Sequence, residues 1–152
     1  MTRKLRNEDF SMYYFIKNAL TDVPSITIKD AYPYNEVEQG TLTLPTVSIE
    51  HTQTIEEGLQ LGDDWVRRMW TIEVFAKTDT QRDEISELIY DSLNVSVPVY
   101  DYITNKLTDT YPPSFSVDYR IQPEDRLIRP IYSFNEYNLY KFWRASITFE
   151  TI

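Results

Sequence analysis

The chain has 152 residues, 41% hydrophobic and 26% charged, the make-up of one ordinary soluble domain that buries roughly 68–70% of its unfolded surface, and no run is apolar enough to cross a bilayer. No cysteine, one histidine (His51) and three glycines exclude disulfides, thiolate nucleophiles, iron–sulfur clusters, cysteine-containing or multi-histidine metal sites and glycine-rich phosphate loops. Fifteen basic against twenty-four acidic residues leave a formal charge of −9 shared by both halves, so nucleic-acid binding is disfavoured; negative potential still suits a non-adhesive wall around DNA or a decoy of it.

MTRKLRNEDF has basic residues without an apolar stretch behind them, so neither a secretory signal nor an anchor is expected and the chain should stay where it is made. A helix is predicted over about 7–20, with Asn7 or Asp9 as its cap and Phe10, Tyr13, Tyr14 and Ile16 to Leu20 as its apolar stripe. Asp22, Val23 and Pro24 stop it, Ile26 and Ile28 alternate as a short strand, and AYPYNEVEQG, broken by Pro33, Asn35 and Gly40, reads as a loop. A long antiparallel hairpin follows over about 46–76. Val47, Ile49 and His51 share one face of its first strand, which puts His51 on the inner face or at its edge as a structural histidine. Trp70, Ile72, Val74 and Ala76 share a face of the second strand, opposite Thr71, Glu73 and Phe75. The tip between them is acidic and glycine-jointed, yet Ile55, Leu59 and Leu61 make it more apolar than a solvated turn requires, so it is expected to meet a partner.

A second helix is predicted over about 80–93, with Asp79 or Thr80 as N-cap, Asp83 and Glu84 in its first turn, and Ile85, Leu88, Ile89 and Leu93 on its apolar face. Residues 95 to 140 form an aromatic-rich insert in which Val95, Val97 and Val99 make a short strand, Pro98 suits an edge, and Phe115, Val117, Tyr119 and Ile121 alternate again. A closing strand over about 143–150 turns Trp143, Ala145, Ile147 and Phe149 one way and Arg144, Ser146, Thr148 and Glu150 the other. The expected architecture is a single α+β domain, residues 1–152: a mostly antiparallel sheet with a long hairpin, covered on one face by two helices.

No catalytic arrangement surrounds His51, and Glu56, Glu57, Asp63 and Asp64 lack a calcium-loop spacing, so no catalytic residue, metal or cofactor is expected. Glu84, Glu87 and Asp91 fall on one helix stripe, a solvated face or the wall of a lumen. Arg67 and Arg68 lie beside Trp65 and Trp70, while Tyr132, Phe134, Tyr137 and Tyr140 lead into Phe142 and Trp143. Arginine and aromatic residues are enriched where proteins meet, and the second group holds more rings than one domain hides easily. Ile55, Leu59, Leu61, Trp65, Arg67, Arg68 and the four rings from 132 to 140 are therefore the candidate interface.

LPTVSIEHTQTIEEGLQLGDDWVRRMWTIEVFAKTDTQRDEISELIYDSL is similar in arrangement to the core of the tail terminator (tail completion) proteins of long-tailed bacteriophages. Matching features are a strand opening after Leu44-Pro45, a long hairpin, a strand like WTIEVFAKT, an acidic-capped helix like DEISELIYDSL and a closing strand like WRASITFETI. They cover roughly residues 40–95 and the last ten; the insert from 95 to 140 is longer and more aromatic than the family pattern. The resemblance implies a non-enzymatic ring, usually of six copies, assembled in the host cytoplasm and carried in the virion neck. It would cap the tail tube protein and dock the head through its connector or stopper, with DNA passing through the lumen without specific binding and no membrane involved. Another connector or stopper neck protein, or an acidic DNA-mimic inhibitor, are the alternatives. The surplus rings, strand edges and projecting hairpin suit ring closure through heterologous contacts.

Overall fold

The alternation on three strands builds the middle of one sheet. Strands β2 (Thr46–Gly58), β3 (Asp64–Ala76) and β7 (Trp143–Thr151) pair antiparallel in the order β2-β3-β7. The computed structural model describes residues 2–58, 64–105, 110–131 and 143–152. Strand β1 (Thr27–Lys29) joins parallel beside β2, and β6 (Pro123–Ile131) joins antiparallel beside β7, completing a five-stranded sheet in the order β1-β2-β3-β7-β6. Val47, Ile49, Trp70, Ile72, Val74, Ala145, Ile147 and Phe149 are buried on one face of it. Helices α1 (Thr2–Ala19) and α3 (Asp79–Ser92) cover that face through Met12, Ile16 and Leu20 and through Ile85, Ile89 and Leu93, with the hairpin of β4 (Val97–Val99) and β5 (Tyr119–Ile121) closing the side. The fold is α+β with a mostly antiparallel sheet, as the patterning implies.

Helix α1 begins earlier than predicted, so Asn7 and Asp9 lie inside it and cap nothing. Their side chains make tertiary bonds. Asn7 donates to the Asp101 carboxylate at 3.1 Å and accepts from Tyr102 N–H at 3.1 Å, Ser11 Oγ accepts from Tyr100 N–H at 3.0 Å, and the Tyr119 hydroxyl donates to Glu8 at 2.9 Å. Asn7, Glu8 and Ser11 thus form a buried polar stripe: Asn7 and Ser11 hold the segment after β4, because main chain that leaves a sheet must still satisfy its N–H groups, and Glu8 holds β5 through Tyr119.

Residues 31–40, expected as a loop, contain a third helix, α2 (Tyr34–Gln39). The breakers delimit it. Pro33 stands at its N-cap, and Gly40, at φ 69°, ends it in the left-handed conformation. Gly40 N–H reaches Val37 C=O at 3.3 Å and Thr41 N–H reaches Glu36 C=O at 2.9 Å, the paired bonds of a Schellman stop. This helix lies on the opposite face of the sheet, where Val37 and Leu42 bury Phe75. At α3 the cap is Thr78, in place of Asp79 or Thr80, accepting from Gln81 N–H at 3.1 Å while Gln81 accepts from Lys77 N–H at 2.8 Å. Leu88 is exposed; Arg82 and Ser86 are buried beside Ile85 and Ile89 instead.

In the insert, Val95, Phe115 and Val117 fall outside the strands, and β6 occupies a stretch with no predicted element. PEDRLIRPI carries four charges and two prolines, which hides its pairing in the sequence. An edge tolerates them: Gln122 and Ile152 exchange main-chain bonds at 3.2 and 3.3 Å, so the next residue, Pro123, faces away from β7. A bulge between Glu124 and Leu127 resets the phase, and Pro130 again faces outward.

On the α2 side of the sheet, Ser48, Glu73, Ser146 and Arg129 form one cross-strand row. Arg144 pairs with Glu73 at 3.5 Å and lies 5.0 Å from the Phe75 ring centre. Burial raises the Glu73 carboxyl above its ordinary value of 4.5, against the opposing pull of Arg144 and a bond from Ser146. The folded state therefore holds this proton more tightly than the unfolded state does. The stability it adds is complete below the unfolded value and is lost as pH rises through the raised folded one. Glu73→Gln is expected to flatten the pH dependence of the urea midpoint from about pH 4.5 upward, with wild type losing stability relative to the variant. Parallel pH profiles for the two proteins would show that Glu73 titrates alike in both states.

Candidate functional site

The hairpin extends past its neighbours at both sides. Strand β1 accompanies β2 only as far as Ser48, and β7 accompanies β3 only back to Arg68. From Ile55 paired with Arg67 to Gly58 paired with Asp64, the two strands have only each other among the described residues. Of the predicted interface, Ile55 and Trp65 fall on this projecting ribbon, while Leu59 and Leu61 lie outside the described residues, as do Tyr132, Phe134, Tyr137 and Tyr140.

Arg67 and Arg68, adjacent in sequence, go to opposite faces of the strand because side chains alternate along it. Arg67 is half-buried and meets Glu150 at 3.8 Å on the α2 side. Arg68 is 1% exposed: its guanidinium donates to Asp9 at 2.6 Å and to the Leu5 carbonyl at 3.1 Å, and lies 4.6 Å from the Trp70 ring centre. Arg68 thus ties the start of α1 to the root of the hairpin, buried within the monomer rather than displayed on the surface where the sequence reading placed it. Trp70 is likewise internal, stacked on Phe149 at 6.2 Å, with its indole N–H donating to Thr151 at 2.9 Å. His51 stands opposite Trp70 at the exposed margin of the helix-covered face, with Nδ1 3.2 Å from Asp9 of α1.

Glu84, Glu87 and Asp91 are all exposed on α3, one acidic stripe facing away from the core. No group of three or more metal-ligating side chains converges among the described residues. No described helix is long and apolar enough to cross a membrane.

A groove of about 1090 Å³ opens where β1 ends, and sequence reasoning missed it. Tyr13 and Tyr14 of α1 form one wall, Tyr32 and Tyr34 the other, and Ile49, Glu50 and His51 of β2 run along its base. Tyr32 N–H donates to Glu50 at 3.3 Å and Lys29 pairs with Glu36 at 3.6 Å, which set the entry to α2 against the sheet. The sequence signal was the pair of tyrosines flanking Pro33; only the position of α2 brings them opposite Tyr13 and Tyr14.

The chain matches no known protein-family profile, and no curated protein matches its sequence.

Proposed function

We propose that this is a non-enzymatic structural protein of the phage neck, a tail terminator that forms a ring, caps the tail tube and joins it to the head. The projecting ribbon carries the reading. A two-stranded ribbon is marginally stable alone in water, so one that continues past both neighbouring strands gains its stability by seating on something else. Ring closure uses two different patches of each copy, and the ribbon is well placed to be one of them. The exposed acidic stripe at Glu84, Glu87 and Asp91, with the formal charge of −9, suits a lumen through which DNA slides without adhering. The tube protein and the head connector or stopper are the partners this role requires.

Native mass spectrometry across a concentration series tests it. Six copies of 18.1 kDa give a discrete species at about 109 kDa, the expected result, either for the free protein or after addition of tail tubes. A protein that stays monomeric alone and leaves tube ends uncapped would overturn the reading.

A further inference from the structure

We propose that the open edge of β2 is a strand-accepting site, and that its occupant is an extended segment of a partner protein bearing lysine or arginine. This goes beyond the neck role and stands without it. The main-chain phase comes from the parallel pairing with β1. Thr27 N–H donates to Pro45 C=O at 3.1 Å, so Val47, Ile49 and His51 turn their main-chain groups to the same side as Pro45. The pairing of Lys29 with Ser48 uses the Ile49 N–H as its last bond; after Lys29 the chain leaves the sheet toward α2, and from the Ile49 carbonyl onward no described strand takes up that side. The tyrosine-walled groove occupies the path β1 would follow if it continued.

The sheet treats its two edges differently. Strand β6 is blunted by prolines at outward-facing positions, the usual protection against stray pairing. The β2 sequence from Thr46 to Gly58 contains no proline. Instead, rings stand on both sides of its edge, and Tyr34 is 70% exposed. An incoming strand would bond to the Ile49 carbonyl and the His51 main chain and lodge alternate side chains against the two tyrosine pairs, the division of labour seen in strand addition.

Charge selects the occupant. Around the groove, Asp9 is taken up by Arg68 and Glu36 by Lys29, which leaves Asp30 and Glu50 against Arg6; that balance favours a cationic segment and disfavours a second copy of the β2 edge with its own Glu50.

Selection from a displayed library of random nine-residue peptides against the whole protein tests the proposal. The expected result is a family alternating apolar with Lys or Arg residues, whose binding falls at least about tenfold in both His51→Pro and Glu50→Lys. The first removes one outward N–H at an edge position that tolerates proline; the second reverses a charge, and decides the matter if the first variant fails to fold. No enriched family, an acidic family, or peptides that bind the folded variants as well as wild type would overturn it. The hexamer measurement is independent of all these outcomes.

Discussion

Asp9→Ala is expected to destabilise the protein by about 3 kcal/mol or more, and to lower Tm by on the order of 10 °C. The variant deletes the carboxylate 2.6 Å from a guanidinium that is almost wholly buried, and an uncompensated buried charge costs more than the pair itself contributes. Arg68→Met separates the two effects. It replaces the cation by an apolar chain of similar length that still covers Trp70, and Asp9, partly exposed, can be hydrated, so the loss should be smaller. The double variant should then recover most of the stability lost in Asp9→Ala. Urea unfolding of the three variants measures this coupling. A loss below about 1 kcal/mol in Asp9→Ala would show that other groups compensate Arg68.

Trp65→Lys is expected to abolish assembly while leaving the folded monomer intact, on the neck reading. Position 65 pairs with Glu57 beyond the last step shared with β7, so the helix-covered core does not depend on it. Lysine is the better probe than glutamate, because an acid opposite Glu57 would repel it and weaken the ribbon itself. The expected result is a monomeric mass, tails without caps, and a Tm within a few degrees of wild type. Wild-type assembly with this variant would remove the ribbon from the interface.

The centre of this fold is legible in the chain. Period-two alternation at Val47–Ile49, at Trp70–Ile72–Val74 and at Ala145–Ile147–Phe149 marks strands with one buried face. Ile85, Ile89 and Leu93 mark the inner side of α3. In each case the local pattern and the burial agree, because one layer covers one face. Composition by itself likewise removes thiol, cluster and multi-histidine chemistry, since a chain without the ligands cannot build those sites in any fold.

What escapes such reading is whatever depends on a neighbour distant in sequence. Pro33 and Gly40 look like loop residues, yet they bound α2, whose short helix is held by Phe75 on the far face of the sheet. Strand β6 has no hydrophobic alternation because an edge strand draws its order from β7 and can place charge and proline at its outer positions. Asn7 and Asp9 have capping chemistry, but residues 101–102, β2 and β3 supply the partners that place them mid-helix. The groove follows the same logic: four tyrosines from two distant segments meet because β1 stops at Lys29 while β2 runs on, a difference in strand length that no local pattern encodes.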